Sequence, residues 1–344
     1  MAEVYTDRLR LRPWTVDDID DLAGIFADPA VWWYPFRRGL DREAAERFLA
    51  REMRRWDERG FGRWAAETTD GGTLIGFVGL GVPDWLPQVL PAVDIGWRLS
   101  PDHWGRGLAT EAARAAVRHG FDVLGVDRLL CMHDPANLAS ARVADKLGFR
   151  VDHETVGPDR GETVVVRARH RAAVRPATGA DLEPLVATLG SRDYFEDRLA
   201  RQSGGLGTLF VAVTAGPVGS ASEVVGTVHL AFGSAWEPEW RALLPDVPSL
   251  NGLGVAENSR RLGIATALVA AAERQARRRG LPRLLVGVEP GNHAALALYE
   301  RLGWRVRPDR PPPGWRPGVH VLVKALQAGE EGRTFGLARR RAAP

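Results

Sequence analysis

The alternation of apolar and polar residues predicts the same succession of strands and helices twice along this chain of 344 residues. The first succession has a helix at 16–27, strands at 62–67, 74–80 and 92–99, a helix at 108–120, a strand at 128–133 and a short helix at 136–146. The second has a helix at 179–189, strands at 208–213, 224–232 and 249–255, a helix at 264–279, a strand at 283–288 and a short helix at 291–301. A variable helical region follows the first helix of each succession, and one final strand ends it. Both therefore indicate an α/β fold.

Sequence landmarks recur in the same order and at a nearly constant spacing. The recurring pairs of segments are 12–18 with 175–181, 107–110 with 263–266, and 137–149 with 292–304. Self-similarity of this kind is typical of a duplicated structural unit. We therefore expect two domains, at residues 1–169 and 172–326. They would pack as an intramolecular pseudo-dimer in a monomeric chain, and the arginine-rich residues 327–344 would form a disordered tail.

Charge and cysteine content narrow the class of protein. The net charge is only +3, with acids and bases nearly balanced, so we expect no nucleic-acid partner. The single cysteine allows no intrachain disulfide and no four-cysteine zinc site, and we expect no metal. No apolar stretch is long enough for a bilayer span, and the first residues lack the apolar core of a signal peptide. These features predict a cytoplasmic protein that does not contact membranes.

One glycine-containing turn in each half stands between a predicted strand and a predicted helix. These turns occupy residues 104–111 and 260–266. Small residues allow close approach of the backbone to a ligand, and the first amides of a helix are unpaired donors at its positive end. A pyrophosphate is the natural occupant, and the alternative is an ordinary tight turn. The chain has neither the Rossmann glycine pattern nor a P-loop.

The turns resemble the [QR]-x-x-G-x-[GA] motif of the GNAT superfamily of N-acetyltransferases. Arg260, Gly263 and Ala265 match every position, whereas in the first copy Trp104 replaces the leading Gln or Arg. The first copy also resembles the branch that contains ribosomal-protein alanine N-acetyltransferases. The segments that carry this second resemblance are 6–13, 75–80, 94–97, 104–107, 137–140 and 147–149.

The resemblance implies two tandem GNAT domains, each a mixed, mostly antiparallel sheet flanked by helices. It also implies transfer of an acetyl group from acetyl-CoA to a primary amine, without a covalent enzyme intermediate. The acceptor would be a small molecule or a peptide N-terminus. Protein N-terminus, amino acid, polyamine and aminoglycoside all stay open. The alternative is an acyl-CoA-binding scaffold or sensor, without turnover, in one or both domains.

The same resemblance assigns the residues that hold coenzyme A. In the first copy these are Leu99, Gly105, Arg106, Gly107, Leu108, Ala109, Thr110 and Asn137. In the second they are Val255, Arg260, Arg261, Leu262, Gly263, Ile264, Ala265, Thr266 and Asn292. The two residues that end the third strand of each copy would pair with the pantetheine amides through their backbone. The two asparagines would contact the pantetheine arm, or cap the following helix, or do both.

Three residues are candidates for the chemistry. Asp94 lies in the third strand, where related enzymes often carry an acid that relays a proton, and the alternative is a solvated acid. Tyr299 takes the place of the tyrosine that protonates the departing thiolate in many relatives, and the alternative is a packing role. Ser140 matches a serine near the thioester in the alanine branch, or it bonds to its own helix. The first copy has Ala144 where the second has Tyr299.

The remaining candidates are polar and aromatic residues of both copies. The second copy has Ser249, Leu250 and Asn251 in its third strand, so Asp246 or Glu289 would have to supply a base there. We expect His133 and Cys131 to be residues of the core or of the cleft edge. The aromatic segment 31–36 is predicted to line the acceptor pocket, and Trp236 and Trp240 raise the same possibility in the second copy.

Overall fold

The computed structural model describes residues 3–158, 161–215, 222–233, 247–306 and 319–326. These residues contain eight α-helices and fifteen strands, in two compact units whose main division falls between Arg171 and Ala172. Trp236, Trp240, Asp246 and the predicted tail lie outside the described residues. In the described ranges, no helix is long and apolar enough to cross a bilayer.

Unit 1 has eight strands and four α-helices among its described residues. In chain order they are β1 (Val4–Tyr5), β2 (Leu9–Arg12), α1 (Ile19–Ala27), α2 (Arg42–Arg59), β3 (Arg63–Thr68), β4 (Leu74–Gly81), β5 (Val93–Leu99), α3 (Leu108–Asp122), β6 (Arg128–His133), α4 (Leu138–Lys146), β7 (Arg150–Val156) and β8 (Thr163–His170). Its sheet has the order β1-β2-β3-β4-β5-β6-β8-β7.

Unit 2 repeats this succession. Its described elements are β9 (Ala173–Pro176), α5 (Leu182–Leu189), α6 (Arg192–Ser203), β10 (Gly207–Thr214), β11 (Glu223–Ala231), β12 (Ser249–Val255), α7 (Ile264–Arg278), β13 (Arg283–Val288), α8 (His293–Arg301), β14 (Arg305–Val306) and β15 (His320–Ala325). Its sheet has the order β14-β15-β13-β12-β11-β10-β9.

The structure confirms the predicted mixed α/β fold and corrects its last element. Every described strand pair is antiparallel except β5 with β6 and β12 with β13. Each unit ends on two paired strands rather than one, β7 with β8 and β14 with β15. The sequence pattern hides the extra strand because β7 and β14 are mostly exposed and carry no apolar run.

Local signals and packing fix the helices beside the sheet of unit 1. Helix α2 begins where the Asp41 carboxylate accepts a hydrogen bond from the Ala44 amide at 2.9 Å, and it ends at Gly60, whose φ is 71°. Helix α3 buries a face rich in alanine against β4 and β5. The small side chains on that face let the helix approach the sheet closely.

The two parallel strands of each unit separate soon after they meet. Strand β5 pairs with β6 only at Val93 with Leu129 and at Asp94 with Leu130, although β5 continues to Leu99. In unit 2, β12 and β13 likewise pair at only two positions. Backbone groups beyond the last pair face a gap instead of a neighbouring strand, so each gap offers donors and acceptors to an extended ligand.

The recurring Arg-Pro segment forms the same structure in both units. The Asp181 carboxylate accepts hydrogen bonds from the Thr178 amide at 2.7 Å and from the Arg175 guanidinium at 2.7 and 2.8 Å. In unit 1, Asp18 accepts from Thr15 and Arg12 in the same way. These aspartates therefore connect the first strand of each motif to the helix that follows.

We expect Asp181→Ala to lower the free energy of unfolding of unit 2 by about 1–2 kcal/mol near neutral pH, because it removes a helix cap and an ion pair. The hydrogen bond from Arg175 lowers the pKa of Asp181 to about 2, below the value of about 3.9 in an unfolded chain. This stabilisation is therefore complete above about pH 4 and is lost as the pH falls towards about 2.

Urea unfolding of the full chain, near neutral pH and at a pH of about 2, measures the free energy that Asp181→Ala removes. The matched control is Glu300→Ala, which alters an exposed acid of the same unit and should change the free energy by less than about 0.5 kcal/mol. An equal loss from Asp181→Ala at both pH values would contradict the explanation.

Candidate active site

The gap between β5 and β6 opens into a cavity of about 970 Å³ within unit 1. Its walls include the aromatic loop 30–36, helix α2, strand β5 with the turn that follows it, the end of strand β6, helix α4 and the loop that carries Asp84 and Trp85. The predicted coenzyme A turn, Asp94, Ser140 and the aromatic loop therefore meet around one space. The sequence had linked them only through family resemblance.

The turn before α3 has the backbone that the glycine pattern predicts. Gly105 and Gly107 have φ angles of 71° and 78°, and residues that carry a side chain rarely adopt such positive values. The first hydrogen bond into the helix runs from the Glu111 amide to the Gly107 carbonyl, so the amides just before Glu111 have no partner within the helix. A Cβ atom added to Gly105 would meet open space, so the turn leaves room for a ligand.

Side chains hold this turn in place. The indole Nε1 of Trp104 donates a hydrogen bond to the Leu99 carbonyl at 2.7 Å. Arg8 donates to the Arg106 carbonyl at 2.9 Å and forms an ion pair with Glu111. Trp104 stands where the motif has Gln or Arg, and its indole supplies the donor that such a residue would bring.

The turn before α7 follows the same course in unit 2. Arg261 and Gly263 have φ angles of 62° and 86°, and the Ala267 amide bonds to the Gly263 carbonyl at 3.0 Å. Arg260 donates to the Val255 carbonyl at 3.4 Å, the counterpart of the Trp104 bond. Unit 2 therefore places an arginine in the left-handed region where unit 1 has Gly105.

Both asparagines cap the helix that follows them. The side chain of Asn137 accepts from the Ser140 amide at 3.0 Å, and that of Asn292 accepts from the Ala295 amide at 3.1 Å. The capping interpretation is confirmed, and contact with a pantetheine arm stays a prediction. Asn137 and Ser140 both line the cavity.

Asp94 is a buried carboxylate at the point where β5 and β6 separate. Its exposed fraction is 3%, so it is not the solvated acid of the alternative interpretation. The Arg63 guanidinium donates to its Oδ2 at 3.1 Å, and Oδ1 has no hydrogen-bond partner among the described residues. Burial raises the pKa of Asp94 against the opposing effect of Arg63. A carboxylate of this kind can accept a proton nearer neutral pH than an ordinary aspartate.

Three glycines clear the face of the sheet beneath Arg63. A Cβ on Gly79 would lie 2.6 Å from the Arg63 Cα, and one on Gly81 would lie 2.9 Å from both the Arg63 guanidinium and Asp94 Oδ1. A Cβ on Gly96 would lie 3.2 Å from Arg63 Nε. Larger residues at these positions would force Arg63 away from Asp94.

Glu52 supports Arg63 from helix α2. It is fully buried, and its Oε2 accepts from the Arg63 amide at 3.2 Å. Its Oε1 lies 3.7 Å from Arg63 Nη1 and 2.7 Å from Arg55 Nη1. The sequence analysis missed Arg63 and Glu52, and the glycines opposite Arg63 were the signal that could have indicated a long side chain lying on the sheet.

Unit 2 has different polar groups on the matching surface. Ser249 pairs with Leu285, the third residue of β13, as Asp94 pairs with Leu130, the third residue of β6. Ser249 is therefore the counterpart of Asp94, and β12 carries no acid. Glu289 follows β13 and is exposed.

A neutral pair lies next to Ser249. His229 Nδ1 lies 3.0 Å from Asn251 Oδ1, and burial lowers the pKa of His229 to about 4. The imidazole is therefore uncharged at neutral pH. By strand register, His229 and Asn251 stand where unit 1 has Gly79 and Gly96, the glycines opposite Arg63.

Tyr299 is buried on helix α8. Its ring packs edge-on against Trp304 with centroids 5.3 Å apart, and burial raises the pKa of its hydroxyl. The hydroxyl therefore keeps its proton at neutral pH. Ala144, its counterpart in unit 1, is also fully buried.

His133 and Cys131 are core residues, as the sequence predicts. Arg167 Nε donates to His133 Nε2 at 2.9 Å, so His133 Nδ1 carries the ring proton and donates to the Asp134 carbonyl at 2.8 Å. Both ring nitrogens are thus occupied, and His133 is not free to act as a base. Cys131 is buried, and burial raises the pKa of its thiol to about 12.

Arg98 ties the aromatic loop to strand β5. Its guanidinium donates to the carbonyls of Val31 and Tyr34 at 2.6 and 2.9 Å and lies 3.9 Å from the ring centroid of Trp32. Burial lowers the pKa of Arg98 to about 10. Trp32 packs in the core, whereas Trp33 is more than one-third exposed. The loop is therefore both a core element and a wall of the cavity.

Two family models match this chain. The one described as Acetyltransferase (GNAT) domain matches residues 8–150, and the one described as Acetyltransferase (GNAT) family matches residues 182–304. The uncharacterized protein YkkB of Bacillus subtilis (strain 168) is 35% identical over 154 residues, which cover 43% of this chain and 85% of YkkB.

Further relatives agree with these matches. The uncharacterized N-acetyltransferase YoaA of Bacillus subtilis (strain 168) is 31% identical over 146 residues, which cover 42% of this chain and 81% of YoaA. The crystal structure of a GNAT-family acetyltransferase from Bacillus anthracis matches 49% of this chain and 98% of its own, with a TM-score of 0.43 and 21% identity. This chain belongs to the GNAT acetyltransferase family and carries two of its domains in tandem.

We expect Arg261→Gly to raise the free energy of unfolding of unit 2 by roughly 1 kcal/mol, because an L side chain in the left-handed region costs about 1–2 kcal/mol. The reciprocal change, Gly105→Arg, should lower that of unit 1 by a similar amount. Denaturant unfolding of the full chain measures both variants, and each is the control for the other. A loss of stability in Arg261→Gly would mean that contacts of the side chain outweigh the strain of its backbone.

Proposed function

We propose that the chain is an acetyl-CoA-dependent N-acetyltransferase and that unit 1 carries out the transfer to a primary amine of a small molecule or a peptide N-terminus. The observation that supports this most is the position of Asp94. It is a buried carboxylate with one unpartnered oxygen, and it lines the same cavity as the turn of α3 and the aromatic loop. The resemblance of unit 1 to the alanine branch agrees with an amine acceptor.

The donor would lie along the turn and the gap. The amides that precede α3 would receive the pyrophosphate, together with the positive end of the helix. The backbone edge of β5 that faces the gap would pair with the amides of pantetheine near Leu99, and Asn137 would contact that arm while it caps α4. The equivalent positions in unit 2, from Val255 to Thr266 with Asn292, would bind a second molecule.

Asp94 would act as the general base. A primary amine with a pKa of about 10.4 is mostly protonated at neutral pH and cannot attack a carbonyl in that form. The Asp94 carboxylate would take a proton from the amine, and the amine nitrogen would then form its bond to the carbonyl carbon. As the carbon–sulfur bond breaks, the thiolate would take a proton from the Ser140 hydroxyl, and the Ser140 oxygen would recover a proton from the nitrogen that has formed the new bond. Arg63 would hold Asp94 in place throughout.

We expect Asp94→Asn to lower kcat by at least about 100-fold with little change in the affinity for acetyl-CoA, because the amide cannot accept the proton. In the unaltered enzyme, kcat/KM should fall as the pH falls through the raised pKa of Asp94, and this fall should be absent from the residual activity of the variant. Thiol release at a series of pH values measures both effects. Asp84→Asn, an acid on the same cavity wall, is the control.

Unit 2 would either transfer acetyl groups or bind acyl-CoA without turnover, and its polar residues bear on this choice. Tyr299 would protonate the thiolate if unit 2 also transfers acetyl groups, since burial raises its pKa and its hydroxyl keeps its proton at neutral pH. Ser249 at the place of Asp94 favours the alternative, in which unit 2 binds acyl-CoA without turnover. We propose catalysis in unit 1 and binding in unit 2 as the working assignment, with Tyr299 as the acid of any residual transfer.

We expect Tyr299→Phe to leave turnover within about twofold of the unaltered chain, since the transfer occurs in unit 1. The matched control is Tyr194→Phe, which removes a hydroxyl from helix α6 of the same unit. Steady-state thiol release under saturating acetyl-CoA measures both variants. A loss of about tenfold or more in Tyr299→Phe alone would assign catalysis to unit 2 and overturn the division of roles.

A further inference from the structure

The walls of the acceptor side of the cavity combine aromatic rings with an excess of guanidinium groups. The rings come from the loop 30–36, from Phe48 on α2 and from Trp85. The guanidinium groups belong to Arg51, Arg55, Arg63 and Arg98, and the carboxylates on the walls belong to Asp84, Asp94 and Glu162. The four arginines differ in how closely a carboxylate approaches each of them.

A single buried carboxylate serves three of these arginines. Glu52 Oε1 lies 2.7 Å from Arg55, 3.7 Å from Arg63 and 3.7 Å from Arg51 Nε. Arg55 also reaches Asp84 at 3.5 Å, and Arg63 has Asp94 at 3.1 Å. Among carboxylates in the described part of the chain, Arg51 contacts only this shared acid, at 3.7 Å.

Arg98 is another cation of the cavity wall, and it forms no ion pair with a carboxylate of a described residue. Its two hydrogen bonds go to backbone carbonyls, and no carboxylate of a described residue lies within 4.0 Å of it. The Arg51 guanidinium is about half exposed at the cavity, and burial together with the neighbouring Arg55 and Arg63 lowers its pKa. Arg51 and Arg98 are therefore the two guanidinium groups of this wall that have no carboxylate of a described residue within 3.5 Å.

We infer that the acceptor is a primary amine that carries a carboxylate on an aromatic body, as an aromatic amino acid does, and that Arg51 binds the carboxylate. This inference rests on the proposed function, since Asp94 would receive the amine. Arg51 and Asp94 both line this cavity, so the carboxylate and the amine of one ligand would be bound within the same space. A polyamine, which has only positive charges, would meet repulsion from Arg51 and Arg98.

Binding of matched ligands to the full chain tests the inference directly. Tryptophan and tryptamine differ only in the carboxylate, and spermidine represents the polyamines. In the presence of coenzyme A, calorimetry should find that tryptophan binds at least about tenfold more tightly than tryptamine, and that spermidine binds most weakly. Tryptamine or spermidine binding as tightly as tryptophan would overturn the inference, and so would the absence of tryptophan binding at millimolar concentration.

Substitutions on helix α2 distinguish the role of Arg51 in carboxylate binding from nonspecific effects of losing a surface charge. Arg51→Gln should weaken tryptophan binding about tenfold and change tryptamine binding by less than about twofold, whereas Arg51→Lys should keep a preference for tryptophan. The control is Arg47→Gln, one turn earlier on α2 and paired with exposed Glu43. Equal weakening of both ligands by Arg51→Gln would overturn the assignment.

A measurement of thiol release with the same ligands distinguishes failure of this inference from failure of the proposed function. Selective tryptophan binding without any turnover would refute the acetyltransferase proposal and support the anion site. Turnover that favours tryptamine or spermidine over tryptophan would support acetyl transfer and refute the anion site.

Discussion

The ion pair between Arg63 and Asp94 is the interaction on which the site in unit 1 depends. A carboxylate with 3% exposure is costly to bury alone, and one guanidinium bond at 3.1 Å stabilises it without occupying both oxygens. Gly81 and Gly96 leave the sheet surface bare where the Arg63 side chain reaches Asp94. Glu52 then holds Arg63 from the helix side. The remaining oxygen of Asp94 has no hydrogen-bond partner among the described residues.

The duplication preserves the backbone of the site and changes its polar groups. Both units separate their parallel strands after two pairs, and both place a left-handed turn before the long helix. Unit 2 nevertheless has Ser249 in place of Asp94, and a neutral His229–Asn251 pair lies beside it. A fold can thus retain the backbone of a turn while the polar residues beside it diverge. This contrast motivates the proposed division between transfer and binding.

Much of the fold followed from the sequence, because apolar periodicity and the repeat together fix the order of elements. The boundaries of β6 and β13 were predicted to the residue, since both are buried apolar runs between polar turns. Strands β7 and β14 were missed because they are mostly exposed. Asp94 was singled out by its place in a strand, but Arg63 and Arg98 were not. Their roles depend on contacts between residues far apart in the sequence, such as Arg98 with the Val31 carbonyl.

The ionisation of Asp94 in the folded protein is the measurement that tests this explanation most directly. Carbon-13 NMR of the chain labelled at its aspartate carboxyl groups, with the Asp94 signal assigned by its loss in Asp94→Asn, would follow that ionisation with pH. We predict a midpoint above the ordinary value of about 3.9, and a further rise in Arg63→Gln because the stabilising cation is removed. A midpoint at or below about 3.9, unchanged by Arg63→Gln, would contradict the assignment of Asp94 as a buried base held by Arg63.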